Sequence, residues 1–344
     1  MKNEIRTLQS LRFVFVLLII LSHVWGAAFD FGGECGVAFF FILSGFVLSV
    51  AYGQKVANGC FPHRKFFRRQ LLKFYPLHLL MLVAIVLLDI LTGHADEWFH
   101  ILPSVLLLQS WIPVDKYYFA ANGVAWFLCN ILFCYAVFPY LYKIIHRTAA
   151  TRLLTAAVVV LVLYGLMAIN LPERLVNALL YVSPPIRLID FALGVAAHRC
   201  YACLEARSVA QWLQRQHRSR LTAIEFALIL AIVLLAIIYP AVPLGLRQAA
   251  LYWPVLWTVI IMFTLLDRRG GLVTHLLQSP PLHWLSTLTL ELYLIQLLVI
   301  RVVFYLTAKW GLFDGHQPSV AVTVVCVATM IPVAWTVGRL KIKY

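Results

Sequence analysis

Two residues near the start of the chain are of types that do chemistry inside a membrane. Arg12 and His23 bracket ten residues, nine of them apolar and one a serine. Neutral imidazole is populated near pH 7 and can take the proton of a hydroxyl. A guanidinium stays charged and grips phosphate or carboxylate through paired N–H donors. Eleven positions at 100° per residue return to within about 20° of the same direction, with a rise of about 16 Å. On one helix, therefore, both side chains project from nearly one face, Arg12 toward one end and His23 toward the other. Ionisable groups inside a span are costly and tend to mark a site or a pathway; the alternative is that Arg12 snorkels to the headgroups and His23 sits at the interface.

Further candidates cluster around this pair. Arg68, Arg69 and Lys73 open an apolar run that continues through Tyr75 and Pro76. Such cations suit a phosphate group, and equally suit anchoring at the inner headgroups. Asp30 and Glu34 follow His23 closely, and either could orient its imidazole as a carboxylate does in a hydrolase triad. Arg187 and Asp190 have the spacing of an internal ion pair, with a substrate role as the alternative. Glu291 and Arg301 are ten apart, about −80° on a helix, so a direct pair between them is not expected. Ser44-Gly45 fits close helix approach better than nucleophilic chemistry, since no base adjoins it. Cys200 and Cys203 form a lone CxxC without a second pair, and no metal site is expected. The chain has no Gx4GK phosphate loop and no HExxH helix.

The elements that position these groups follow from composition. Hydrophobic residues make up 62% of the 344 and charged residues 12%, against about 25% charged in soluble domains. The expectation is an all-α, polytopic membrane protein forming a single domain over residues 1–344, with no cleaved leader and no soluble second domain. Ten apolar runs are long enough to span, near 8–28, 35–53, 71–92, 123–145, 151–169, 176–199, 221–240, 248–266, 284–308 and 319–338. Run 176–199 holds Pro184-Pro185 and should break there. The short stretch 101–112 reads as interfacial or re-entrant. Segment 200–220, basic and amphipathic, reads as lying on the membrane surface.

With both termini inside, 21 Lys and Arg fall on the cytoplasmic side and four outside: Lys116, Arg174, Arg247 and Lys309. Arg12, Arg187 and Arg301 lie within spans. That asymmetry fits the positive-inside rule. The net charge of +14 then reflects topology and contact with anionic lipid, not nucleic-acid binding.

The order of blocks resembles the acyltransferase 3 family of integral membrane O-acyltransferases. Leu8-Gln-Ser-Leu-Arg12 with ten residues to His23 carries the resemblance, followed by Gly36-Val with Phe39-Phe-Phe-Ile-Leu-Ser-Gly-Phe46, and by Arg68-Arg69 through Tyr75-Pro76. Asn122-Gly-Val-Ala-Trp126 and Arg187 with Asp190-Phe191 resemble later blocks. Three positions depart from the family pattern: Asn130 where an acidic residue is frequent, Gln296 where histidine is frequent, and Lys73 where arginine is common.

The resemblance implies ten membrane helices that move an acyl group, usually acetyl, from acyl-coenzyme A to a hydroxyl, typically of a surface glycan or lipid-linked saccharide. It implies a bacterial inner (cytoplasmic) membrane location and no metal. It makes Arg12 and His23 the residues tied to activity. Arg68, Arg69, Lys73 and Tyr75 become donor-side candidates, and Asp30, Glu34, Trp126, Asn130 and Arg187 acceptor-side candidates. Protein partners are left open. Two other readings stay open: a secondary transporter or lipid-linked-sugar carrier with Arg12 and His23 on its path, and a non-catalytic paralogue, given Asn130 and Gln296.

Overall fold

A computed structural model describes residues 5–93, 97–205, 208–311 and 318–339. Among them the chain is helix and turn, with no strand. Lipid supplies no partner for backbone N–H and C=O groups, so a chain this apolar must satisfy them within helices.

Helices α1 (Arg6–Trp25) and α2 (Asp30–Ala57) form a hairpin. The turn is at Gly26, whose φ of 55° suits glycine, and a 3-10 turn over Gly26–Phe29 completes the reversal. Phe15 stacks on Phe39 with centroids 3.7 Å apart. The two helices thus run antiparallel, and nearly the whole inward face of each is buried.

Helix α3 (His63–Thr92) leads to a short α4 (Trp98–Val105), and α5 (Trp126–Arg147) and α6 (Ala150–Asn170) follow. The segment Glu173–Tyr181 meets α7 (Pro184–Glu205) at a 47° bend. Proline cannot continue the preceding hydrogen-bond ladder, which places the break at Pro184. Next come α8 (Ser208–Arg215), α9 (Arg218–Ile238), α10 (Trp253–Leu266), α11 (Leu272–Leu277), α12 (Pro280–Thr287), α13 (Thr289–Lys309) and α14 (Val320–Arg339).

Among the described residues, seven stretches are long and apolar enough to cross a membrane, or eight if the bent pair is one span. The first of these, Arg6–Ala57, is the α1–α2 hairpin, and the shorter apolar stretch Ala250–Leu266 contains α10. The chain is a multi-pass membrane protein. Buried residues make up 67% of the apolar stretch in the first hairpin but 11% in α6 and 17% in α9. The hairpin is therefore the core, and α6 and α9 present Leu154, Val158, Val162, Leu230, Leu234 and Ile237 to lipid.

Helix α2 crosses α7 at two glycines. A Cβ at Gly45 would collide with the Phe191 carbonyl, and one at Gly194 with the Ile42 carbonyl. The Ser44-Gly45 step therefore serves backbone approach, as small residues do where packing replaces the hydrophobic effect. Phe41, Phe46, Phe138 and Phe191 are fully buried around it.

The stretch from α4 to α5, expected on the outer side, does not cross. Eight residues of α4 span about 12 Å, well short of the hydrocarbon core. The stretch is pinned into the bundle instead. The Tyr75 hydroxyl donates to the Val105 carbonyl at 2.9 Å, and His78 Nε2 bonds the Ser104 carbonyl at 2.8 Å. Ser110 bonds the Trp126 carbonyl and Asn122 that of Leu294. Leu107 and Ala121 both take positive φ there, a conformation side-chain-bearing residues adopt only when surroundings impose it.

Candidate active site

Helix α1 is continuous from Arg6 to Trp25, so the helical relation between Arg12 and His23 holds. Arg12, toward its N-terminal end, lines a cavity of about 140 Å³. Lys73 of α3 lines the same space, with Ser44 and Phe40 of α2, Tyr135 and Phe127 of α5, and Tyr293 of α13. Two cations thus face a pocket with aromatic and aliphatic walls. The Tyr135 hydroxyl lies within reach of Ser44, and the charge of Arg12 acts on it. Phe40 and Phe127 are the outermost lining residues of their helices, edge to face at 6.3 Å, and form the ceiling.

His23 lies beyond that ceiling. Its side chain is exposed, and its Nδ1 is 2.8 Å from the carbonyl of Ile19. A carbonyl only accepts, so Nδ1 carries the proton and Nε2 presents its lone pair. Among the described residues Nε2 has no hydrogen-bond partner. Asp30 is near enough to act on the imidazole electrostatically, but the backbone of Ile19, not a carboxylate, makes the orienting bond.

Val16 and Ile19 share the face between Arg12 and His23, and both are buried. On that face of α1 a collar of buried apolar side chains therefore lies between the cation and the imidazole.

The remaining sequence candidates divide. Arg68 and Arg69 are exposed on the first turns of α3 and do not line the cavity. Tyr75 spends its hydroxyl on Val105 and holds the outer stretch in place. Trp126 is buried against Tyr181, with ring centroids 4.9 Å apart. Asn130 is fully buried and donates to the Val182 carbonyl at 2.6 Å, just before the α7 bend.

Glu34 belongs to a buried polar network near the N-terminal end of α2. Its two oxygens accept from Gln248 at 3.1 Å and from Tyr252 at 2.9 Å. Arg187 and Asp190 form the expected ion pair, at 2.9 Å and wholly buried. The Arg187 guanidinium also donates to the Leu180 and Gln248 carbonyls, and Trp253 donates to Asp190. Gln248 therefore ties the two networks together, its side-chain amide donating to Glu34 and its backbone carbonyl accepting from Arg187, and the result is one buried scaffold. Gln248, Tyr252 and Trp253 escaped the sequence reading. No periodicity announced them, because the backbone leaves the helical region at Ala249, between Gln248 and Tyr252.

These positions can be set beside known proteins. The family described as "Acyltransferase domain" matches residues 5–339. The chain belongs to the acyltransferase 3 family. Acyltransferase MdmB of Streptomyces mycarofaciens is similar to it, 32% identical over 181 residues, covering 47% of this chain and 45% of that protein. The chain thus spans about half the length of that curated relative. No solved structure matches. Within this acyltransferase 3 chain, the groups that can bind an anion (Arg12 and Lys73) sit toward the N-terminal end of α1, and the group that can take a proton sits toward its C-terminal end.

Proposed function

We propose that the protein is an O-acyltransferase of the bacterial inner membrane that moves an acyl group, acetyl in the simplest case, from acyl-coenzyme A to a hydroxyl of a surface carbohydrate or lipid-linked saccharide. The observation that carries this reading is the tautomer of His23. Its proton is committed to Ile19, so the free Nε2 is a base pointing away from its own helix, in a chain matched to an acyltransferase family along almost its whole length.

In this reading Arg12 and Lys73 hold the anionic part of the donor near the inner end. The thioester arm follows the apolar walls outward past Phe40 and Phe127. The acceptor hydroxyl approaches His23 from outside. Nε2 takes the hydroxyl proton as the oxygen attacks the thioester carbonyl. The C–O bond forms, the C–S bond breaks, and the departing thiolate is protonated. The collar at Val16 and Ile19 must part when donor and acceptor are both bound. Those buried apolar side chains suit this, because water kept from the thioester cannot hydrolyse it. The scaffold of Glu34, Gln248, Tyr252, Arg187 and Asp190 holds the outer ends of α2 and α7 in register beside the acceptor side, with Trp126 and Asn130 on α5.

The test is acyl transfer by membranes holding the wild type, His23→Ala or Arg12→Ala, supplied with labelled acetyl-coenzyme A and a panel of glycan acceptors. Labelled product from the wild type alone supports the proposal. If the wild type neither labels an acceptor nor cleaves the thioester, the enzyme reading loses to a carrier or a non-catalytic paralogue.

A further inference from the structure

A second cavity, of about 320 Å³, opens between the start of α9, the end of α10 and α11. The Lys and Arg distribution assigns this end to the cytoplasm. Arg218, Arg268, Arg269 and His275 line it, with the polar side chains of Thr274 and Gln278. Sequence reading absorbed these arginines into the general basic excess of the inner loops and gave them no partner.

The pocket is built on a fixed frame. Glu225 of α9 is fully buried. It accepts from the backbone N–H of Gly271 at 2.6 Å and of Val273 at 2.8 Å, and from the Thr274 hydroxyl at 2.6 Å. That carboxylate clamps the turn at 270–274 onto α9. Arg269 donates to the Gln214 carbonyl, which fixes its guanidinium toward α8. Arg268 meets Glu205 only at 3.7 Å with both side chains exposed, a contact of small worth. The one carboxylate in the lining is Asp267. Its Oδ1 already accepts from the Thr7 amide and hydroxyl at 2.9 Å and from Gln278 at 3.1 Å. Three arginines therefore line the cavity against one carboxylate occupied by donors.

From this arrangement we infer a binding site for a phosphate-bearing ligand. Guanidiniums converging on a hollow match phosphate oxygens bidentately. Two sources carry that chemistry: the nucleotide phosphates of the coenzyme donor, and the headgroup of an anionic lipid. The first source rests on the function proposed above and divides the donor's anionic groups, the diphosphate going to Arg12 and Lys73 and the ribose phosphate to this pocket. Thr7, bonded to the pocket wall, precedes Arg12 by five residues, a rise of about 7.5 Å and a turn of about 140°. Pocket and acyl cavity therefore lie at neighbouring depths on opposite sides of the inner end of α1. A nucleotide in the pocket would pass its flexible arm around that end.

The experiment uses the full chain in detergent. Binding of coenzyme A, of acetyl-pantetheine and of phosphatidylglycerol is measured for the wild type, for the triple variant Arg218→Gln, Arg268→Gln, Arg269→Gln, and for the triple Lys counterpart, each checked for folding by size exclusion. The Lys counterpart keeps the charge and is the control for a merely structural loss. If the nucleotide is the ligand, coenzyme A binding weakens more than tenfold in the Gln variant and clearly less in the Lys variant, which keeps the charge but not the paired donors. Acetyl-pantetheine, which lacks the nucleotide, is unaffected. If phosphatidylglycerol binding falls instead, the phosphate site stands and its source is lipid. Unchanged binding of both phosphate ligands to a folded Gln variant overturns the site. A wild type that binds no coenzyme A but loses phosphatidylglycerol on substitution overturns the donor reading while leaving the phosphate site intact.

Discussion

His23 donates its Nδ1 proton to the carbonyl of Ile19, 2.8 Å away and one turn back on the same helix. The bond is local, so it survives whatever the neighbouring helices do. It fixes both the tautomer and the direction of the ring, the task a carboxylate performs in a hydrolase triad. His23→Ala should lower acyl transfer by about 10²–10⁴, the range typical of a general base. Because the side chain is exposed, the thermal midpoint should hardly move. Labelled transfer and a melting curve on the same preparation check both halves, and a melt lowered along with activity would make His23 structural.

Local relations were legible in the sequence and distant ones were not. Arg187–Asp190 was legible because three residues on one helix are neighbours whatever the fold. The break before α7 was legible because proline enforces it. Ser44-Gly45 announced a close crossing, but its partner Gly194 could only come from the structure. The same holds for Glu34, whose partners Gln248 and Tyr252 lie 214 and 218 residues away. Arg301 was correctly not paired with Glu291. Its partner is Asp89, 2.6 Å away and 212 residues distant, on a helix whose neighbour the pattern of apolar runs does not name. Tyr75 resembled a donor residue by its place in a motif, yet its hydroxyl faces a carbonyl of the outer stretch, and no spacing rule reveals that.

Arg12 and Lys73 line one cavity, so they should act on the donor and not on the acceptor. Arg12→Ala should raise the KM for acyl-coenzyme A by roughly tenfold or more, the loss of one charge-assisted contact. Lys73→Ala should act in the same direction. Arg68→Ala and Arg69→Ala, on exposed positions outside the cavity, should change the KM little. Steady-state kinetics with the donor varied at fixed acceptor separates the two pairs.

Phe127 closes the cavity at its outer end against Phe40. Phe127→Ala should open the path between the cation cavity and the outer side. The expected signature is thioester hydrolysis without acceptor, rising relative to transfer, because water gains the access the aromatic ceiling denies. Free thiol release measured in the absence of acceptor reads this directly, and a variant that hydrolyses no faster than wild type removes Phe127 from the path.

Asp190 neutralises Arg187 in a place with no access to solvent. Asp190→Ala leaves a buried guanidinium uncompensated, at a cost of about 3–5 kcal/mol. The double variant Arg187→Met, Asp190→Ala removes both charges and should recover much of that loss. Yield of monodisperse protein and thermal midpoint, compared across the two variants, decide it. Equal damage in both would mean that the hydrogen bonds from Arg187 to Leu180 and Gln248, rather than charge balance, hold α7 in place.

The side on which each loop emerges is the last expectation open to measurement. With ten spans and both termini inside, Cys60 and Cys203 face the cytoplasm, and both side chains are exposed. Lys116, on the outer stretch between α4 and α5, is exposed too. In whole cells a membrane-impermeant maleimide should leave the wild type unlabelled and should label Lys116→Cys. In inverted vesicles the same reagent should reach Cys60 and Cys203. The placement of His23 depends on this result, since α1 has only two ends. Labelling of Cys60 from outside would reverse the hairpin, set the imidazole on the donor side, and leave Arg12 facing the acceptor.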